Sequence, residues 1–346
     1  MCVRVVNMAG VDLNIFTFDY DLTFAAVLMN ADGTIYHRYG SRDSGPAASR
    51  LSMASFVRVL RESLKDHEIY QAKPRPPEPK EKRTADEIPS LARKIEERKR
   101  TGKHAECIHC HMVNGERDET ARESGKFLRD EVLGRWPLPE KVGLTLDIDD
   151  PALVKRVAAG SPAASAGVKP GDRLVRAGEQ RIRTQTDLQW ILDSTPNASA
   201  TIQLETIREG DMVMLPKLEL RPGWKIADPW ELAWRSSMWG LRPQPGFGGQ
   251  PIDGEEREKL GLGASVFALK VGYIVDWGNE ARFGENVHKA GIRKGDIVLS
   301  VAGSKDFKSE LHFQSWFRLT RKSGEKVQIE LLRDGKPTQV ELPVIE

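Results

Sequence analysis

Apolar residues recur at every second position early in the chain, then at every third or fourth. CVRVV (2–6) alternates as a short strand does. TFAAVLMNADGTIYHRYG (23–40) predicts two strands joined at Asn30–Gly33, where Asp32 and Gly33 supply the turn. Met53, Phe56, Val57, Leu60 and Leu64 then recur at helical spacing, with Ser52 placed to cap. Strand, hairpin and helix make half of an α/β unit. KPRPPEPK (73–80) has four prolines in eight residues and no apolar anchor, so it reads as an extended linker. A charged helix is expected around Leu91–Arg100, and a mixed one over Glu119–Leu133 that ends at Gly134 and Pro137.

The second half of the chain repeats itself. AGVKPGDRLVRAG (166–178) and AGIRKGDIVLSVAG (290–303) share the frame A-G-[VI]-[KR]-x-G-D at an offset of 124 residues. Each is followed by a helical stretch, Thr186–Ser194 or Glu310–Thr320, and then by two strands about a charged turn. That period is too long for a solenoid and describes two copies of one compact domain. Between them Trp224, Trp230, Trp234 and Trp239 fall within sixteen residues and are expected to bridge the copies, because such rings need apolar cover.

Both copies resemble PDZ domains. The resemblance implies a loop of backbone N–H groups that holds a chain terminus, and a strand edge to which a peptide adds beside a helix. In the first copy it places Gly143, Leu144, Thr145 and Leu146 of VGLTLD (142–147) in that loop and edge, with Leu188, Ile191 and Leu192 on the helix opposite. WPLPEK (136–141), folded back, is the alternative occupant of that groove. In the second copy LGLGASVFALKV (260–271) takes the loop's place, with Gly261 and Leu262 as its contact residues. No Gly-x-Ser-x-Gly-like nucleophile segment accompanies the copies, which argues against a protease.

CIHCH (107–111) carries the other chemistry. Two thiols three residues apart, followed at once by an imidazole, suit covalent haem c: Cys107 and Cys110 reach the two vinyl groups and His111 ligates the iron. Zinc held by the two cysteines with His104, His109 or His111 is the competing cofactor, and a thiol redox pair is a third. Met112 and His104 lie too close in sequence to reach the distal face, so the sixth ligand is unassigned.

Composition bounds these readings. The net charge of +2 hides residues 71–104, where 11 Lys/Arg stand against 6 Asp/Glu. That stretch has no Phe, Tyr or Trp to stack on bases and its charges are interleaved, which argues against nucleic acid. No apolar run approaches the ~18 residues of a membrane span.

Taken together the chain resembles a family of bacterial proteins that join a thioredoxin-like domain, a C-x-x-C-H segment and two PDZ-like domains. The resemblance rests on FDYDLTFAAVLMNADGTIYHRYGSRD (18–43), CIHCH, WPLPEKVGLTLD (136–147) and PGWKIADPWELAWRSSMWGL (222–241). It implies that residues 1–70 are the back half of a thioredoxin fold whose reactive pair would precede Met1. Cys2 is then a core residue, the chain reads as a fragment, and the absent secretory signal has the same explanation. The expected architecture is an α+β multidomain chain. Its parts are that half-domain (1–70), a linker (71–83), a helical cytochrome c-like segment (84–140), a PDZ-like β-barrel (141–221), a tryptophan-rich connector (222–254) and a second PDZ-like domain (255–346). The expected function is redox or electron transfer in the periplasm or cell envelope, by a haem protein with peptide C-termini as partners. A peptide-binding adaptor with structural zinc, or a fragment of a thiol oxidoreductase, is the alternative, and no enzyme activity is expected of the chain as given.

Overall fold

The computed structural model describes residues 1–102 and 107–346. The zinc candidate His104 lies outside the described residues. The chain forms two compact units, Met1–Ala227 and Asp228–Glu346, so their boundary falls inside the expected connector.

The first unit opens with residues 2–6 exposed and in no strand, contrary to their alternation. A lone strand gains no ladder, and none is supplied here. The expected hairpin forms from β1 (Ala26–Met29) and β2 (Ile35–Tyr39), paired antiparallel. Helix α1 (Met53–Ala72) follows, and the Ser52 side chain accepts from Ser55 N–H at its start. Its packed stripe is Ser55, Val59, Ser63 and Asp66, whereas Met53, Leu60 and Leu64 of the apolar stripe are exposed. Helices α2 (Pro89–Arg100), α3 (Cys110–Glu123) and α4 (Arg129–Leu133) come next. The single helix expected over 119–133 is therefore two: the chain leaves α3 at Gly125, whose φ of +68° and N–H bond to Arg122 O close the helix end. Met8, Leu13 and Tyr20 pack with Leu91, Ile108 and Val113 in a small core.

The first repeat contributes β3 (Leu144–Leu146), β4 (Val154–Val157), α5 (Pro162–Ser165), β5 (Arg173–Ala177), β6 (Gln180–Arg181), α6 (Gln185–Ser194), β7 (Ala200–Ile202), β8 (Leu204–Arg208), β9 (Asp211–Met214) and β10 (Leu218–Leu220). β3 pairs with β4 and β7 with β10, while β6-β5-β8-β9 form a four-stranded sheet. The second unit holds α7 (Pro229–Leu232), β11 (Phe247–Pro251), α8 (Gly254–Lys259), β12 (Leu269–Ile274), α9 (Ala281–Lys289), β13 (Ile297–Val301), α10 (Glu310–Thr320), β14 (Lys326–Arg333) and β15 (Lys336–Pro343). Its five strands form one antiparallel sheet in chain order, with β11 at an edge, over a core that includes Phe247, Phe313 and Phe317. Trp224 packs on the first unit's core, whereas the Trp230 and Trp239 rings lie against Lys308 and Arg318 of the second.

The repeated frame has a physical basis. A short helix ends at Gly167 (φ +80°) or Gly291 (φ +82°), a conformation that glycine adopts freely. Asp172 and Asp296, both buried, accept the N–H of Lys169 and of Arg293 and so close the turn. Each also takes an arginine from the end of a later strand, Arg208 or Arg333. That same guanidinium donates to Gly167 O or Gly291 O. One buried carboxylate thus ties turn, helix end and strand together in each copy.

A second set of buried charges fixes the hairpin to the first repeat. His37 is 1% exposed, and its ring nitrogens meet Asp187 Oδ2 at 2.9 Å and Asp66 Oδ2 at 2.8 Å. Asp187 sits in the first turn of α6 and also accepts the N–H groups of Arg38, Arg183 and Thr184. Asp66 is reached by Arg181 and Arg183 as well. Around this pair Thr186 donates to Gly40 O and Gln185 to Ser41 Oγ, and the Arg38 guanidinium lies over Trp190. Asp66 explains the inverted helix α1, because delivering its carboxylate to His37 turns the serine-lined stripe inward.

Burial opposes charge on His37, but Asp187 and Asp66 outweigh it and hold the imidazole at about 9. A raised pKa gives stabilisation that is complete below the ordinary 6.5 and lost as pH rises through 9, roughly 3 kcal/mol in all. Thermal unfolding of the first unit should therefore fall between pH 6.5 and 9, following the imidazole titration read by NMR. His37→Ala should cost about 3–5 kcal/mol, since it leaves two buried carboxylates facing each other. A flat stability profile across that window would contradict the assignment.

Candidate functional site

In the first copy the predicted contact residues do converge, as core. Leu144, Leu188 and Leu192 are fully buried in one cluster with Leu146, and Ile191 packs against it. Gly143 has φ +87°, and a Cβ there would lie 2.1 Å from Ser161. Its N–H already donates to Glu140 O, so it is committed to the turn before β3. Thr145 is half-buried on β3, where it accepts from Arg156. The row Gln185, Gln189 and Asp193 lies on one face of α6 by its four-residue spacing. Trp136 covers that row: its N–H donates to Asp193 Oδ1 at 2.8 Å and its carbonyl accepts from Gln189. WPLPEK thus lies against the helix, the arrangement expected if that segment folds back.

The C-x-x-C-H residues stand at the start of α3. Cys107 and His111 are exposed, and Cys110 is half-buried against the small core, where burial pushes its thiol pKa up. His109 stacks on His111 with ring centroids 5.8 Å apart. Ile108 is held on both sides, donating to Asn7 Oδ1 and accepting from Met8 N–H. The exposed Val3, Val5 and Val6 directly precede this anchor. Among the described residues no three His, Cys, Asp or Glu side chains converge as a metal site.

In the second copy the expected contact residues stand away from the start of the edge strand. Gly261 ends the short helix α8 with φ +66°, and Leu262 packs beside Ile252, Ala268 and Ile297. Both lie between β11 and β12, after the edge strand that the loop should precede. The run Pro245-Gly246-Phe247-Gly248-Gly249 leads into that strand. Gly246 (φ +78°) turns against Phe283 O, and a Cβ on Gly249 would come within 1.8 Å of Lys270 O. The sequence signal was the run PGFGG itself, hidden by α8 and its flanking loops, which separate β11 from β12.

Along the free edge of β11 the side chains of α10 satisfy the backbone. Gln314 Nε2 donates to Phe247 O at 2.8 Å, and Gly249 N–H donates to Glu310 Oε1 at 3.0 Å. Glu310 also accepts from Tyr273 OH, whose pKa is raised by burial and by that carboxylate. Arg318, one turn beyond Gln314, is 5% exposed and donates to Leu241 O and Gln244 Oε1. Both acceptors are neutral. Arg242 is instead paired with Glu280 at 2.6 Å. Burial, then the neighbouring Arg242, lowers the Arg318 pKa to about 9. A cleft of about 170 Å³ opens here between Arg318, Arg242, Glu280, Trp239, Phe247 and Tyr273.

Matching the N-caps Thr184 and Ser309 sets the two helices in register. Gln185, Gln189 and Asp193 then correspond to Glu310, Gln314 and Arg318. The row that is covered in the first copy borders a cleft in the second, and its last member changes sign.

A family model of the PDZ domain matches residues 153–206, from the loop before β4 into β8. Similar solved structures include the HtrA-type protease AlgW with a tripeptide, at 16% identity and TM-score 0.29, covering 60% of this chain and 68% of that one. AlgW with a decapeptide aligns at 16% and 0.25, covering 50% of this chain and 54% of that one. An aminopeptidase N family protein from Idiomarina loihiensis aligns at 17% and 0.21, covering 25% of this chain and 15% of its own. No curated protein matches the chain.

The placement of the second loop makes a contrasting prediction. Gly246→Ala should cost about 2–4 kcal/mol, from a positive φ plus a Cβ 2.7 Å from a backbone oxygen. Gly261→Ala meets nothing within 4 Å and should cost about 1 kcal/mol. Urea unfolding of both variants checks this, and equal costs would contradict the close approach of Phe283 O to Gly246.

Proposed function

Residues 153–206 being a PDZ domain, we propose that the chain is a peptide-binding protein whose receptor site is the β11–α10 face of its second unit. The ligand is the free C-terminus of an extended peptide. One observation carries this: Arg318, a buried cation with neutral acceptors only, borders a cleft at the start of an edge strand. The peptide adds antiparallel to β11. Its N–H replaces Gln314 on Phe247 O, and its carbonyl replaces Glu310 on Gly249 N–H. The terminal carboxylate then enters the cleft and pairs with Arg318, which gives a desolvated guanidinium a directly hydrogen-bonded anion. The first copy, with Trp136 along its helix, serves as the anchor of the N-terminal hairpin.

Anisotropy of labelled peptides with the full chain tests the reading. Amidating the terminus should weaken binding about tenfold or more, and Arg318→Met should erase the difference between acid and amide. Equal affinity for both peptides in the unmutated chain would overturn it.

A second reading concerns Cys107, Cys110 and His111, and is favoured by the exposure of Cys107 and His111 beside an exposed apolar segment. Under it the two cysteines hold a haem c, His111 ligates its iron, and the chain works in the cell envelope. The bound group would supply electron transfer. The chain's part is to fix Ile108, between the two cysteines, through Asn7 and Met8. Denatured protein made alongside haem-attachment machinery should then carry the mass of one haem, lost when both cysteines become Ala. A zinc-bearing native mass without porphyrin would replace this reading with the zinc one.

A further inference from the structure

Glu310 is as conspicuous on α10 as Arg318. Among the described residues it accepts only from Gly249 N–H and Tyr273 OH, and no cation pairs with it. It lines a second, larger cleft of about 670 Å³ that shares Tyr273 with the first and runs along the far half of β11. Asp253 and Glu256 also border this cleft, and its one cation, Lys270, is paired with Glu256 at 2.8 Å. Three carboxylates against one ammonium leave the cleft acidic. The face therefore has a cationic end at Arg318 and an anionic end at Glu310, eight residues apart and so about 12 Å along the helix. An extended chain covers that distance in about three to four residues.

Resting on the peptide-terminus reading above, we infer that the second unit selects C-termini carrying a Lys or Arg side chain two to four residues before the terminal carboxylate, with Glu310 as the selecting residue. Binding itself frees the carboxylate. When the peptide carbonyl takes Gly249 N–H, Glu310 loses that donor and turns to the ligand's cation. Asp253 and Glu256 extend the same field, whereas Lys308 is drawn away over the Trp230 ring. An acidic side chain at the same place would face Glu310 directly, so repulsion adds to the selection.

The test uses the full chain and serine–alanine heptapeptides that end in valine, each with one Lys, Glu or Ser at two, three or four residues before the end. Every peptide is made with a free and an amidated terminus. At low salt the Lys peptide should bind at least tenfold tighter than its Glu counterpart at one or more positions. Glu310→Gln should bring that ratio near one, Glu310→Lys should invert it, and the Ser peptide should change little. Equal binding of Lys and Glu peptides, with free termini still preferred over amides, would overturn the selectivity and leave the carboxylate reading standing. Indifference to amidation would overturn the carboxylate reading, and this inference with it.

Discussion

Burying a carboxylate at the start of a helix obliges the chain to bring something to meet it. Asp187 is fully buried, and three backbone N–H groups and the His37 imidazole answer its charge. His37 comes from 150 residues earlier and needs Asp66 on its other nitrogen, which requires helix α1 to present its polar stripe. One buried ion cluster therefore determines where the hairpin lies, which way α1 faces, and how much of α6 is covered. Such clusters are weak sources of net stability but costly to break, so they act mainly to select one arrangement.

That arrangement has a consequence for function. Residues 37–41 engage the opening of α6 and Trp136 its groove row, so Gln185, Thr186, Asp187, Leu188 and Gln189 are all buried. A helix enclosed in this way holds a neighbouring element well and receives a ligand poorly. In the second unit α10 also meets an added segment, with His312 beside Trp230 and Asp228. That segment touches the opening of the helix and leaves clefts beside Glu310 and Arg318.

Much of this was legible in sequence because it is local. The Asp32-Gly33 turn, the Ser52 cap and the two A-G-x-x-x-G-D frames announce structures made by residues close in the chain. The frames end where expected because glycine at positive φ and a carboxylate capping its own turn need little tertiary help. The apolar stripe of α1 misleads because propensity and pattern say nothing of Asp66, whose partner His37 lies on strand β2. Gly261 and Leu262 carry a leucine–glycine pattern near β12. The run that leads into the edge strand starts at Pro245, on the far side of an insertion containing α8 that a shared frame cannot register. His37, Arg318 and Glu310 carried no local signal at all. Their meaning comes from what stands opposite them.

The two helix rows correspond position by position within one shared frame. The Asp172–Arg208 and Asp296–Arg333 ties lie at the turn and strand end, and they recur in both copies with the same partners. Neither tie includes a groove-row residue, so Gln185, Gln189 and Asp193 can differ from Glu310, Gln314 and Arg318 without disturbing either tie. The middle member is glutamine in both, and in both its amide donates to a backbone carbonyl of the chain lying alongside: Trp136 O in one, Phe247 O in the other. The last member differs in charge. Asp193 accepts an N–H and so suits a chain that continues past the groove, as residue 136 does. Arg318 offers donors and positive charge, which suit a chain that ends there in a carboxylate.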